Sequence, residues 1–261
     1  MGIKKNSTKG TPLWKALFKE RRVPYRYQWI KALPKLKFTY YPQFFSSLDY
    51  KNLFKTENPE AGINNGIVSS LVLQLYGSTF MKDTIEVCKK IGMSPFLAFG
   101  TLLGHHRDNG FIKHDHDMDI GLLEKDFIKI NNLKKGMKEK GYRVRHPSGY
   151  KYEISFSNPR FPGISLDFFI FYKHKNEMVY AHEDIVKKKL HFYAFPLEIF
   201  EKFEKTKFLG KIDVLVPSQT ERFLRLSYGD WKTPNKKFKA LSDHPNLKKI
   251  VNSNFKRIVK K

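Results

Sequence analysis

Four residues, Asp117-Met118-Asp119-Ile120, constrain this chain more than any other stretch: two carboxylates alternate with two apolar side chains a short way past an apolar run that ends at Gly100. A strand sends successive side chains to opposite faces, so both acids share one face, their Cα atoms roughly 7 Å apart, while Met118 and Ile120 turn to a core. On this strand reading the segment belongs to a sheet, dry on one side and acidic on the other. Two carboxylates on one face repel, and they stay ionised at little cost only around a cation. All-oxygen ligands suit Mg²⁺ or Mn²⁺ better than zinc. Taken alone, an Asp-rich segment is also compatible with a solvated acidic turn.

The residues before it supply a second half. Phe96 to Phe99 reads as a short buried strand, Gly100-Thr101 as a turn where the backbone can approach a ligand, and Leu102 to Arg107 as the start of a helix. Unpaired N–H groups and the positive end of a helix dipole favour a phosphate there. On this reading Gly100, Thr101 and Gly104 form a phosphate turn, Arg107 is a cation for a donor phosphate, and Asp115 stands beside the metal ligands or acts as a base. His105, His106, His114 and His116 read as hydrogen-bonded scaffolding.

Farther on, Asp167 is the single charge in Ile164-Ser165-Leu166-Asp167-Phe168-Phe169-Ile170-Phe171. A lone buried carboxylate costs several kcal/mol unless it is paired or bound to metal. Its partner is a Lys or Arg on one reading, and a metal on the other.

A glycine turn, a basic segment and then D-x-D is the layout of the nucleotidyltransferase superfamily. More narrowly, GTLLGHHRDNGFIKHDHDMDIG resembles the LicD/fukutin family, whose bacterial members commonly carry GTLLG, R, GFI and D-x-D-x-D in this order. The chain departs at Lys113, His114 and His116, where Pro, Trp and Asp are more usual. Tyr228-Gly229-Asp230-Trp231 with Pro234 resembles the family's C-terminal signature, so the resemblance runs from roughly residue 70 to 235. It implies an α+β fold, a nucleotidyltransferase-like mixed β-sheet with flanking helices. It also implies transfer of a phospho-alcohol group (phosphocholine, ribitol phosphate or glycerol phosphate) from a CDP-linked donor to a hydroxyl of a glycan or lipid-linked glycan. Asp117, Asp119 and Asp167 would then hold Mg²⁺ or Mn²⁺, with Asp167 alternatively the general base.

Organisation follows from composition. The 261 residues include 41% hydrophobic and 15% aromatic side chains, enough for a sizeable core. Residues 1–61 are basic, aromatic and broken by prolines, 62–235 form the expected catalytic domain, and 236–261 form a basic tail with a final helix from Pro245 to Val259. The helical pattern Val68 to Ile91 has a break point at Gly77-Ser78, and Lys125 to Lys140 reads as an exposed basic helix. Strands are expected at Tyr142 to Arg145, Tyr150 to Phe156, Ile164 to Tyr172 and Leu209 to Val216, with a strand-loop region at Met178 to His191. A capping box, Ser218 with Glu221, opens a helix through Leu226.

With one cysteine, Cys88, disulfides within the chain and a Cys-rich zinc site are excluded. The opening lacks an apolar leader, and no run reaches the roughly 18 to 20 apolar residues of a membrane span, so a cytoplasmic location is expected. Forty-nine Lys and Arg against 25 Asp and Glu give a net charge of +24, which draws polyanions. The aromatic and basic residues of 1–61 suit either an anionic membrane surface, which would place the protein peripherally on the inner face, or packing of the aromatics on the catalytic domain with the charges solvated. Transfer of a nucleotide to a sugar or nucleic acid is the second reading and non-enzymatic nucleic-acid binding the third; the third ranks last because the central acids repel a phosphate backbone.

Overall fold

Residues 153–217 are rich in aromatic and β-branched side chains and supply six of the ten strands of one large sheet. The computed structural model describes residues 66–144, 152–184, 189–235 and 237–248. Their elements are α1 (Gly66–Lys90), β1 (Phe96–Leu97), α2 (Phe99–Asp108), β2 (Asp117–Leu123), a 3₁₀ turn (Glu124–Lys129), α3 (Ile130–Glu139), β3 (Arg143–Val144), β4 (Glu153–Asn158) and β5 (Phe161–His174). Then come β6 (Glu177–Asp184), β7 (Lys189–Pro196), a 3₁₀ turn (Leu197–Phe200), β8 (Phe203–Phe208), β9 (Ile212–Pro217), α4 (Thr220–Tyr228), α5 (Ala240–Asp243) and β10 (Leu247–Lys248).

The sheet runs β10-β7-β6-β5-β2-β1-β9-β8, with β3 and β4 attached to β5. The pairs β2/β5 and β1/β9 are parallel and the others antiparallel, so the sheet is mixed. The fold is α+β, as expected.

The core gathers around Phe96, Phe156, Phe168, Phe171, Phe195, Phe208 and Phe223, all fully buried. Each contributes roughly 1.5–3 kcal/mol by leaving water. On β2, Met118 and Ile120 are buried while Asp117 and Asp119 are half-buried, which is the alternation the sequence demands. Helix α1 lays Leu73, Phe80, Met81, Val87 and Cys88 into this core without interruption, so Gly77 is not a break. A Cβ at Gly77 would lie 2.8 Å from the Phe111 ring, and the residue is small because that ring rests on the helix. The end of α3 is tied back to α1: Lys140 Nζ lies 2.8 Å from Asp83 Oδ1, and the Tyr142 hydroxyl donates to Asp83 Oδ2 at 2.7 Å.

Several expectations need correction. The expected basic helix over 125–140 is a 3₁₀ turn followed by α3, and it is only half exposed, because Ile130, Leu133 and Met137 pack inward. Strand β9 starts at Ile212, since Leu209 and Gly210 (φ 51° and 70°) make the turn from β8. Helix α4 is capped at Gln219 with no side-chain cap bond; Thr220 Oγ1 donates to the Pro217 carbonyl, so the Ser218 capping box does not form. The boundary drawn at 235/236 does not divide the sheet, because β10 pairs with β7 and His244 is buried against Tyr193. The helix expected from Pro245 begins instead with that strand, and its remainder lies outside the described residues. So do residues 1–61 with their membrane reading, Arg145, and Tyr150 with Lys151. Among the described residues no helix is long and apolar enough to cross a membrane.

Candidate active site

The sharp bend before the carboxylates falls one residue earlier than the glycine. Phe99 takes φ 38°, a left-handed conformation rare for an aromatic residue, and α2 begins on it. Packing holds it there: its ring centroid lies 4.7 Å from Tyr180, 5.1 Å from Phe169 and 5.5 Å from Phe223. Gly100 and Thr101 are thus the first turn of a helix rather than a loop. That turn faces β2 and is spent on it. The Gly100 N–H donates to Asp119 Oδ2 at 2.7 Å, and the Asp119 N–H donates to Thr101 Oγ1 at 2.8 Å. The end of the helix is satisfied by a carboxylate, as its dipole favours, and the phosphate expected on these donors meets Asp119 instead.

Parallel pairing of β2 with β5 sets Asp119 directly beside Asp167 and Asp117 beside Ser165. One carboxylate oxygen from each of Asp117, Asp119 and Asp167 lies within 4.8 Å of the other two. Asp115 joins from the loop before β2, its Oδ1 accepting the His116 N–H at 3.0 Å. All four acids keep some accessible surface, so the cluster is not sealed from solvent. Beneath them lies Gly100. A Cβ there would stand 2.8 Å from Asp115 Oδ2 and 2.9 Å from Asp119 Oδ2, filling the space the oxygens enclose.

The electrostatics are those of acids without a counter-charge. Burial, then Asp115, pushes Asp117 up to about 7. Burial and the combined charge of Asp117, Asp115 and Asp167 raise Asp119 well above the carboxylate range, opposed by the Gly100 N–H. Asp115 is raised too, chiefly by burial. Oxygen-only donors converging on one point with unfavourable mutual charge fit a hard divalent cation. The set could hold a metal ion.

Two expected ligand-binding residues have contacts of their own. Gly104 is buried inside α2, where a Cβ would come 2.5 Å from the Gly110 carbonyl and 2.9 Å from the Ile112 nitrogen, so it makes room for the crossing chain. Arg107 gives Nε and Nη2 to Asp108 (3.0 and 2.9 Å) and Nη1 to the Trp231 carbonyl (3.3 Å), locking the C-terminal corner. His105 packs on Phe208, and His106 on Trp231. Those histidines border a separate pocket of about 430 Å³ with Lys205 and Arg222, which contains none of the four acids.

Residues overlooked in the sequence share this face of the sheet. Ser165 Oγ donates to Asp167 Oδ2 at 3.3 Å; it sits two positions before Asp167, a period-two signal that the lone acid eclipsed. Glu153 and His182 are in contact, His182 Nδ1 lying 3.2 Å from Glu153 Oε2. Nothing local in the sequence joins those two.

Residues 92–219 match the family described as LicD/FKTN/FKRP, nucleotidyltransferase domain. Over this stretch the chain belongs to the LicD/fukutin family. An uncharacterised protein of Rickettsia prowazekii is 31% identical over 159 residues, covering 61% of this chain and 55% of that protein. Mus musculus FKTN, named ribitol-5-phosphate transferase, is 27% identical over 191 residues, covering 71% of this chain and 39% of the relative. The chain thus spans about half the length, or less, of the curated relatives it matches. A crystal structure of ANT(2")-Ia with adenylyl-2"-tobramycin aligns at TM-score 0.38 and 12% identity over 62% of this chain and 80% of that one, too loose a likeness to carry an argument.

Proposed function

We propose that this domain transfers a phospho-alcohol group, of the ribitol phosphate, glycerol phosphate or phosphocholine class, from a CDP-linked donor to a hydroxyl of a glycan or its lipid-linked precursor. The observation that carries the reading is the convergence of Asp117, Asp119 and Asp167 within 4.8 Å on neighbouring parallel strands of a LicD-family domain. The FKTN relatives, named ribitol-5-phosphate transferases, support the class of group moved.

Each residue then has a task. Asp117, Asp119 and Asp167 hold Mg²⁺ or Mn²⁺. Bound there, the ion supplies positive charge to the donor's diphosphate oxygens. Asp115 hydrogen-bonds Asp117 and sets how readily the cluster sheds protons before loading. Ser165 orients the Asp167 carboxylate, while Gly100 keeps the floor clear and, with Thr101, fixes Asp119. Gly104 and Arg107 shape the frame that carries these groups. Phosphoryl transfer depends mainly on positioning and charge stabilisation, so a rigid, partly exposed acidic cradle is a sufficient kit.

The test is calorimetric titration of CDP-ribitol, CDP-glycerol, CDP-choline and ATP into the full chain with Mg²⁺, repeated with Asp117→Asn. The expected result is metal-dependent binding of one CDP-alcohol that the variant loses. Binding of ATP alone would overturn the CDP-donor reading in favour of nucleotide transfer.

A further inference from the structure

An attacking hydroxyl must lose a proton, and three carboxylates committed to one cation are poor bases for it. A different base stands on the same face of the sheet. Glu153 on β4 pairs with Phe169 on β5, and Phe169 lies two residues past Asp167, so Glu153 shares the side that carries Asp119 and Asp167. From β6, the His182 ring reaches over Phe169 at 6.1 Å and sets Nδ1 3.2 Å from Glu153 Oε2. Tyr180, two residues back on β6, packs on Phe169 and on Phe99 at the start of α2, which places this side of β6 against the bend beneath the acids.

A carboxylate on one imidazole nitrogen fixes the tautomer and orientation and leaves the other nitrogen as the acceptor. About a third of the His182 side chain (32%) is accessible and only 19% of Glu153's, so the orienting partner is the deeper and the ring the more open. Burial alone would lower the His182 pKa; the hydrogen bond and charge of Glu153, with Asp167 and Asp117 behind it, outweigh that and raise it.

Building on the transferase reading, we infer that His182, oriented by Glu153, is the catalytic base that receives the acceptor hydroxyl. The acceptor O–H bond breaks and its proton passes to His182 Nε2. The oxygen forms a new bond to the phosphorus bearing the alcohol, and the bond from that phosphorus to the bridging oxygen breaks, its electron pair leaving on CMP. The imidazolium, stabilised by Glu153, then returns the proton to water.

The test follows CMP release by the full chain from CDP-ribitol, CDP-glycerol and CDP-choline with Mg²⁺, water standing in as the hydroxyl, for wild type, His182→Gln, Glu153→Gln and Asp117→Asn. A general base contributes about 10²- to 10⁴-fold, so His182→Gln should lower kcat by that factor with the donor KM within about threefold. With Mg²⁺ kept saturating at every pH, so that ionisation of the metal-binding acids does not set the limb, the acidic limb of the kcat profile should vanish in His182→Gln and move to lower pH in Glu153→Gln, because removing an anionic partner lowers an imidazole pKa; the charged groups facing His182 are Glu153 from β4, Asp167 from β5 and Asp117 from β2. A purely structural pair would leave that limb in place. If His182→Gln turns over at the wild-type rate while Asp117→Asn is dead, the inference falls and the metal-site reading stands. If His182→Gln does not fold, a folded Glu153→Gln with an unmoved limb overturns it equally. Wild type inert with all three donors would overturn the transferase reading, and this base with it.

Discussion

At the scale of single residues, the site is built by subtraction as much as by addition. Gly100 contributes no side chain, and the vacancy is where the carboxylate oxygens of Asp115 and Asp119 meet. Alanine is a better helix former than glycine, and the atoms its Cβ would displace are the ends of two side chains rather than backbone. Gly100→Ala should therefore leave the thermal midpoint near wild type while weakening Mn²⁺ binding at least about tenfold, the scale on which displaced ligand geometry is felt. Titration with Mn²⁺ followed by electron paramagnetic resonance reads this directly, and undiminished affinity would show that the acids do not close over Gly100. Ser165→Ala is the milder companion, since it frees Asp167 from one donor without adding bulk.

These residues were unequally legible in the sequence. Asp117, Asp119 and Asp167 stood out because each is a charge inside an apolar strand, a costly place for one, and the structure brings an oxygen of each within 4.8 Å of the others. Gly104 and Arg107 have contacts that proximity along the chain did not announce. The helix they share with Gly100 turns them toward the Gly110–Ile112 crossing and the Trp231 corner. His182 and Glu153 lie 29 positions apart, and only the strand order of β4, β5 and β6 brings them together.

At the scale of elements, the decisive arrangement is the β2/β5 parallel pair with α2 packed on its acidic face. The alternation in β2 and the apolar run of β5 announced both strands, and a helix after the bend was expected. The bend itself was placed on glycine by rule, whereas tertiary packing forces it onto Phe99. Strand β8 went unread because FEKTKF alternates weakly and faces solvent at Glu204, Lys205 and Lys207; it forms because β9 offers it a full antiparallel register. The loop from α2 to β2, which delivers Asp115, is anchored where Gly110 N–H donates to the Gly104 carbonyl at 3.1 Å. A Cβ at Gly104 would collide with backbone on both Gly110 and Ile112, atoms that cannot rotate away. Gly104→Ala is expected to lower stability by about 1–3 kcal/mol, the usual range for overpacking, seen as an earlier urea midpoint. A midpoint unchanged from wild type would mean that this loop is free to lift from α2.

At the scale of the whole molecule, the acidic cluster should make stability depend jointly on pH and metal. Without metal, Asp117 is held at about 7 against an ordinary 3.8, and Asp119 is raised as well. The folded state therefore binds more protons than the unfolded one between about pH 4 and 7. A raised folded pKa gives stability that is complete below the unfolded value and lost as pH climbs through the folded one, here a few kcal/mol at most. His244 acts in the opposite direction, because burial holds it at about 4 against 6.5 and it supplies stability that is lost as pH falls through that range. The net metal-free profile mixes the two, so the informative quantity is the shift produced by metal at each pH. A divalent ion displaces the protons and binds the folded state alone, so its stabilisation must grow as the acids ionise. Thermal unfolding with and without 10-fold excess Mn²⁺ over the binding constant, an excess worth about 1.4 kcal/mol by linkage, should show almost no shift at pH 5. By pH 8 the midpoint should rise by several degrees, and the rise should be absent in Asp117→Asn. A shift independent of pH would place the ion somewhere other than these carboxylates.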